Sequence, residues 1–322
     1  MNRKYRLVIL CLFQIMILTS VGCSQNSPVS PDESFAAESE TYTFIAIHFE
    51  AGYKGRILDD LPIELPAEYM AMDFGWQEYH FETAQNLVQK ADEFGFHLTL
   101  MFNPQWAEYI LQDSARTDVV RQWQERGHEI SYHHHSFNNV DWNGYSNDPI
   151  ASGIPIYLGD VDTGLNLVRT LAGPASVTSA MIDGLPIDMP QSYEDTTEDL
   201  ILAGGSQYDS FELYGELRSL KPSKVIKDNG GTIIRVAHRQ LTWMSDDISI
   251  EEALDIFQEE YENMQSDEVY GVVFHCFDYL AATASYDEWF EFIANNGDMV
   301  KSVSEVVADY EKNSASQLTD GA

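Results

Sequence analysis

The sequence predicts an α/β fold with a mostly parallel sheet, open or closed into a barrel. Apolar, strand-like runs alternate with segments of helical spacing, as repeated βα units require. Several of these runs end in ionisable residues, and parallel sheets assemble their sites at the carboxyl ends of strands. The chain has three cysteines, too few for a disulfide framework, so the fold must rest on its core.

The first 22 residues read as a secretory signal. Arg3, Lys4 and Arg6 precede an apolar run from Leu7 to Leu18, and Thr19-Ser20-Val21-Gly22-Cys23 resembles a bacterial lipoprotein cleavage site. The apolar run is too short to span a bilayer as a mature helix. Cleavage before Cys23 would free that cysteine for lipid attachment, giving an exported protein held at the cell envelope by its anchor alone. Ser20 stands where such sites usually carry leucine, which leaves ordinary secretion open. Residues 23–40, rich in Ser, Pro and Glu, suit a flexible tether. A single domain is expected over 41–312 and a frayed tail over 313–322.

Within the domain, Thr43 to Glu50 reads as a buried strand. Phe81 to Phe94 has helical spacing and stops at Gly95, before a strand from Phe96 to Phe102. A helix over Val119 to Glu125 leads to Gly127-His128-Glu129-Ile130-Ser131-Tyr132-His133-His134-His135, where four of the nine histidines fall within eight positions. As an extended strand, this stretch puts His133 and His135 on one face and His134 on the other. A helix over Gly164 to Leu171, a strand over Val177 to Ile182 and a helix over Glu194 to Leu202 follow. Next come a strand from Thr232 to His238, a helix from Ile250 to Met264 and a strand from Val269 to His275. Helices over Asp287 to Asn295 and Val300 to Tyr310 close the pattern.

Composition excludes some partners. With 52 acidic and 18 basic residues the formal charge is −34, a surface that repels nucleic acid and anionic lipid. Three strands end in His48-Phe49-Glu50, His133-His134-His135 and His275-Cys276-Phe277-Asp278. Their convergence would give a pocket of imidazoles and carboxylates, the inventory for metal ligation or for acid/base catalysis. His48, His133 and His135 are the candidate metal ligands, with Glu50 or Asp141 as further donors, and three neutral imidazoles suit Zn²⁺. His80, His97 and His238 are isolated and receive no role. Trp76, Tyr79, Trp106 and Trp142 fall near loops, where they could stack on sugar rings.

The order of these segments resembles the NodB-type polysaccharide deacetylases of carbohydrate esterase family 4, over roughly Thr43 to Lys312. His48-Phe49-Glu50-Ala51-Gly52 is similar to the family's Thr-Phe-Asp-Asp-Gly motif, and Gly127-His128-Glu129-Ile130 through His133 to its Gly-His-Glu-Ile motif. Val272-Val273-Phe274-His275 resembles the strand that carries the family's catalytic histidine. The resemblance implies a distorted (β/α) barrel and an exported hydrolase that removes N-acetyl or ester groups from carbohydrate. It implies Glu50 as base and His275 as general acid, with Asp278 a candidate for orienting it, and His128 and Glu129 as structural residues. Three departures matter, two of them at metal ligands: the family's metal-binding aspartate falls on Ala51, and its second metal histidine on Phe137. The third motif's arginine is missing from Ala180 to Pro186. Either substitute ligands hold a metal, or the site works without one, as in the allantoinase-like branch. Loss of turnover altogether, leaving a glycan-binding domain, is the further alternative.

Overall fold

The computed structural model describes residues 42–50, 69, 72–139, 142–183, 186–197, 199–204, 220–242 and 248–320. The expected signal, tether and Cys23 lie outside these residues, as do Ala51 and Asp141. None of the helices among the described residues is long and apolar enough to cross a membrane.

The strands are β1 (Tyr42–Phe49), β2 (Thr99–Phe102), β3 (Glu129–His134), β4 (Ser179–Ile182), β5 (Leu200–Ala203), β6 (Ser223–Ile226), β7 (Thr232–Val236), β8 (Arg239–Leu241) and β9 (Val269–His275). The helices are α1 (Gly75–Phe94), α2 (Pro104–Leu111), α3 (Ser114–Glu125), α4 (Val161–Ala172), α5 (Gln191–Glu194), α6 (Ile250–Glu262), α7 (Cys276–Asn295) and α8 (Val303–Asp320). The sheet order is β6-β7-β5-β4-β3-β2-β1-β9-β8. Every pair is parallel except β6 with β7, and the sheet curls into a half-barrel.

Strand alternation sorts side chains into two cores. Ile45, Ile47 and Phe49 of β1, Ile130 and Tyr132 of β3, and Tyr270, Val272 and Phe274 of β9 face outward against the helical layer. Tyr42, Phe44 and Ala46, Met101, Ile201 and Ala203, Ile234 and Val236, and Val269 and Val273 face inward. There they meet Val303, Val306 and Val307 of α8. Gly271 is part of this fit: it pairs with Phe44, and a Cβ on it would lie 2.1 Å from that ring.

Glu129, at the amino end of β3, ties α8 in place. Its carboxylate accepts from Thr99 Oγ1 at 3.1 Å, Ser179 Oγ at 2.6 Å and the Ser304 backbone N–H at 3.1 Å. Accepting from a first-turn N–H satisfies a helix donor that has no intrahelical partner. His128 works beside it: Nδ1 accepts the Leu98 N–H at 3.0 Å and Nε2 meets Asp92 at 3.1 Å. Both residues are structural, at the end of the strand remote from its histidines.

Two sequence expectations need correction, and one helix has no counterpart among them. Glu194 to Leu202 is not a helix: α5 ends at Glu194, and Leu200–Ala203 is the buried strand β5. Its four apolar residues fit either period, so spacing alone cannot decide, and pairing with β4 and β7 does. The helix α2, opened by Asn103 as N-cap and Pro104 in its first turn, separates β2 from α3. Residues 313–320 are helical rather than frayed, since α8 continues to Asp320 and the Asn313 side chain donates to the Tyr42 hydroxyl.

Candidate active site

Inward alternation carries chemistry to the carboxyl ends of the strands. On β1 the series Tyr42, Phe44, Ala46 continues to His48 and then Glu50; on β9 Val269, Gly271, Val273 continues to His275; on β3 Ser131 continues to His133 and His135. Register aligns them, because His48 pairs with His275. The predicted face separation of His133 and His135 from His134 holds.

Glu50 Oε1 is the point of convergence. It lies 3.3 Å from His133 Nε2, 3.1 Å from His135 Nε2, 3.2 Å from His275 Nε2 and 4.0 Å from His48 Nδ1. All five residues are buried. Two indoles pin the backbone here: Trp106 Nε1 and Trp76 Nε1 donate to the Glu50 carbonyl at 2.8 and 3.2 Å. These tryptophans, with Trp142 donating to the Tyr145 carbonyl, are buried and cannot stack on a sugar as the sequence suggested. Tyr79 packs on Tyr69 and His80.

The electrostatics divide the histidines. Burial, then His133, His275 and His238, hold His48 well below its ordinary pKa. Burial also lowers His133 to about 4, against the opposing pull of Glu50. Both rings are therefore neutral near pH 7. His275 is the opposite case. Burial works to lower it, but Glu50 and Asp278 outweigh that and raise it to about 10, which leaves it protonated at neutral pH. Asp278 Oδ2 sits 3.2 Å from His275 Nδ1. Burial would raise Glu50, yet His135 and His275 together with hydrogen bonds from His133 and His135 hold it well below the usual carboxylate range.

His48, Glu50 and His133 each present one ligand atom within 4.8 Å of the others. Two neutral imidazoles and an ionised carboxylate are a donor set that Zn²⁺ accepts, since ligation needs deprotonated donors. The residues present thus fit a divalent metal. The sequence reading placed His48 and His133 in this group, but treated Glu50 chiefly as the base. Phe137 packs edge-on against Trp142, 6.3 Å between centroids.

Sequence reasoning missed several residues. His238 is buried beside His48, with ring centroids 5.9 Å apart, and burial with His133 and His275 lowers its pKa to about 3. It follows an apolar strand, the same signal that identified the other ends. Gly204 makes room for it: φ is +79°, and a Cβ would fall 1.8 Å from His238 Cε1. Asp183 and Asn139 border His135, and Gln240 lies 3.4 Å from His275 Nε2. His134 faces the helical layer, where Asp188 sits 3.2 Å from its Nε2.

No family model and no curated protein matches the sequence. Solved structures do match. A candidate polysaccharide deacetylase from Mycobacterium smegmatis is similar at a TM-score of 0.50 and 15% identity, over 90% of this chain and 96% of its own. The chain has the polysaccharide deacetylase fold. A second candidate polysaccharide deacetylase, from Pseudomonas aeruginosa PAO1, is similar at a TM-score of 0.54 and 12% identity, over 84% of this chain and 90% of its own. Within this deacetylase fold the cluster occupies the carboxyl ends of β1, β3 and β9, the end where parallel sheets place their sites.

Proposed function

We propose that the protein is a hydrolase of the deacetylase type, which uses activated water to cleave an N-acetyl amide or an ester on a carbohydrate. The single observation that carries this reading is the placement of Glu50 Oε1 3.2 Å from His275 Nε2, with Asp278 3.2 Å behind the imidazole at Nδ1. Hydrolysis of an amide needs a group that accepts the proton of the attacking water and a second that protonates the departing nitrogen. Glu50, held as a carboxylate, takes the first proton. His275, held as an imidazolium, gives the second, and Asp278 keeps its ring oriented. The buried walls limit competing water, and the low polarity strengthens each charge interaction. A divalent metal held by His48, Glu50 and His133 would polarise the scissile carbonyl and acidify a bound water.

Turnover of N-acetylated sugars and of aryl acetates tests this, in wild type and in Glu50→Gln and His275→Ala. Loss of one acid or base group should cost about 10²- to 10⁴-fold in kcat. Glycan binding with no turnover, indifferent to either substitution, would instead indicate a binding domain. Chelation followed by addition of zinc reads the metal's contribution in the same assay.

Export with a lipid anchor at Cys23 completes the proposal. Cys23→Ala should release the protein from the membrane fraction, and unchanged fractionation overturns the anchor.

A further inference from the structure

Trp76 and Trp106 are buried, at 5% and 1% exposure, and each directs its indole N–H to the same main-chain atom, the Glu50 carbonyl oxygen. Each stands in the first turn of a helix, Trp76 second in α1 and Trp106 third in α2. Asn103, the N-cap of α2, joins them. Its side chain accepts the Trp106 backbone N–H at 3.0 Å, and its own backbone N–H donates to the Phe49 carbonyl at 3.4 Å.

These contacts fall on both sides of one α-carbon. The Phe49 carbonyl belongs to the peptide that precedes Glu50 Cα, and the Glu50 carbonyl to the peptide that follows it. Peptides are planar, so a residue whose two flanking planes are held has no backbone rotation left. The Cα–Cβ direction of Glu50 is then set, and with it the approach of Oε1 to His133, His135 and His275. The β1–β2 ladder cannot do this, since its register ends at Phe49. Trp76 also reaches towards the acid: its ring lies 5.5 Å from that of Phe277, which stacks on His275 at 5.3 Å between centroids.

We propose that Trp76 and Trp106 are positioning residues for Glu50, acting through its main-chain carbonyl, with Asn103 orienting Trp106. A carbonyl oxygen has two lone pairs, enough for both donors. A buried indole N–H without an acceptor is costly, so neither tryptophan gives up this contact easily. Two helices thus hold the carbonyl from two directions. The bearing on turnover rests on the hydrolase reading; the placement of the carboxylate does not.

The test compares phenylalanine with histidine at each position. Phenylalanine keeps an apolar ring and removes the donor. Histidine loses the six-membered ring but can place an Nε2–H where the indole Nε1–H stood. In Trp106→Phe, kcat on aryl acetates should fall about 10- to 100-fold with KM little changed, as misplacing a reacting group by about 1 Å predicts. Trp106→His should recover part of that loss, and Trp76→Phe and Trp76→His should repeat the contrast. A packing role reverses the order, so histidine variants no better than the phenylalanine ones overturn the proposal. Crystal structures of the phenylalanine variants should show Glu50 Oε1 drawn away from the three imidazoles, and a carboxylate unmoved in both also overturns it. Where phenylalanine prevents folding, benzothienylalanine in place of Trp106 makes the same subtraction, with sulfur replacing the N–H inside an unchanged ring outline. Wild type without turnover, with Glu50 displaced in the variants, would defeat the hydrolase reading and leave the positioning role standing.

Discussion

At the scale of single residues, the cost of burying histidine is measurable away from the cluster. His80 is fully buried on α1 against Trp76 and Phe277, and burial lowers its pKa to about 4. The unfolded chain takes up a proton on this ring near pH 6.5, which the folded chain refuses until pH 4. The neutral ring's contribution to stability is thus complete above pH 6.5 and is lost as pH falls towards 4, by up to about 3 kcal/mol. Urea unfolding at neutral and acidic pH should show a steeper acid loss in wild type than in His80→Phe, and equal losses would refute the assignment. The site itself was legible in part. His48, Glu50, His133, His135 and His275 stood out because several ionisable groups ended apolar strands. His238 ended one too, but a lone histidine without a carboxylate two or three residues away gave no second signal. Asn139 and Asp183 lay in irregular segments where spacing carries no direction, so their bearing on His135 appears only once β3 and β4 are paired.

Among the elements, those with a full hydrophobic period were readable and the short ones were not. β1, β9 and α6 match expectation to within two residues at each end, since each is long enough for its period to show. β5, β6 and β8 have four, four and three residues, too few to distinguish a strand from a turn of helix. The attachment of α8 was invisible for another reason: Glu129 and Ser304 are 175 residues apart. Glu129→Ala should strand the Ser304 and Thr99 donors and cost about 1–3 kcal/mol in unfolding free energy. Because Glu129 lies at the opposite end of β3 from the histidines, kcat should change little. A collapse of kcat at preserved stability would contradict this division of the strand.

For the molecule as a whole, charge sets the behaviour in solution. A formal charge of −34 spread over 322 residues makes the folded chain repel itself. Raising ionic strength from about 0.01 M to 0.5 M shortens the screening length several-fold and should raise Tm. A flat or falling Tm across that range would mean the surface charges are already compensated. The path by which the molecule forms follows from its pairing order. β1 is an interior strand of the sheet, yet one of its two neighbours, β9, supplies partners such as Tyr270 that are 227 residues away from Thr43. Joining such distant segments is slow, because the intervening loop must be closed before any pairing rewards it. A ribosome delivers the amino end first, so β1 waits with one edge bare until residue 275 has emerged. Its inward residues wait longer still, for the valines of α8. The order of synthesis and the order of assembly are opposed, and truncation before β9 strips β1 of that partner and takes the β9-β8 edge of the sheet with it.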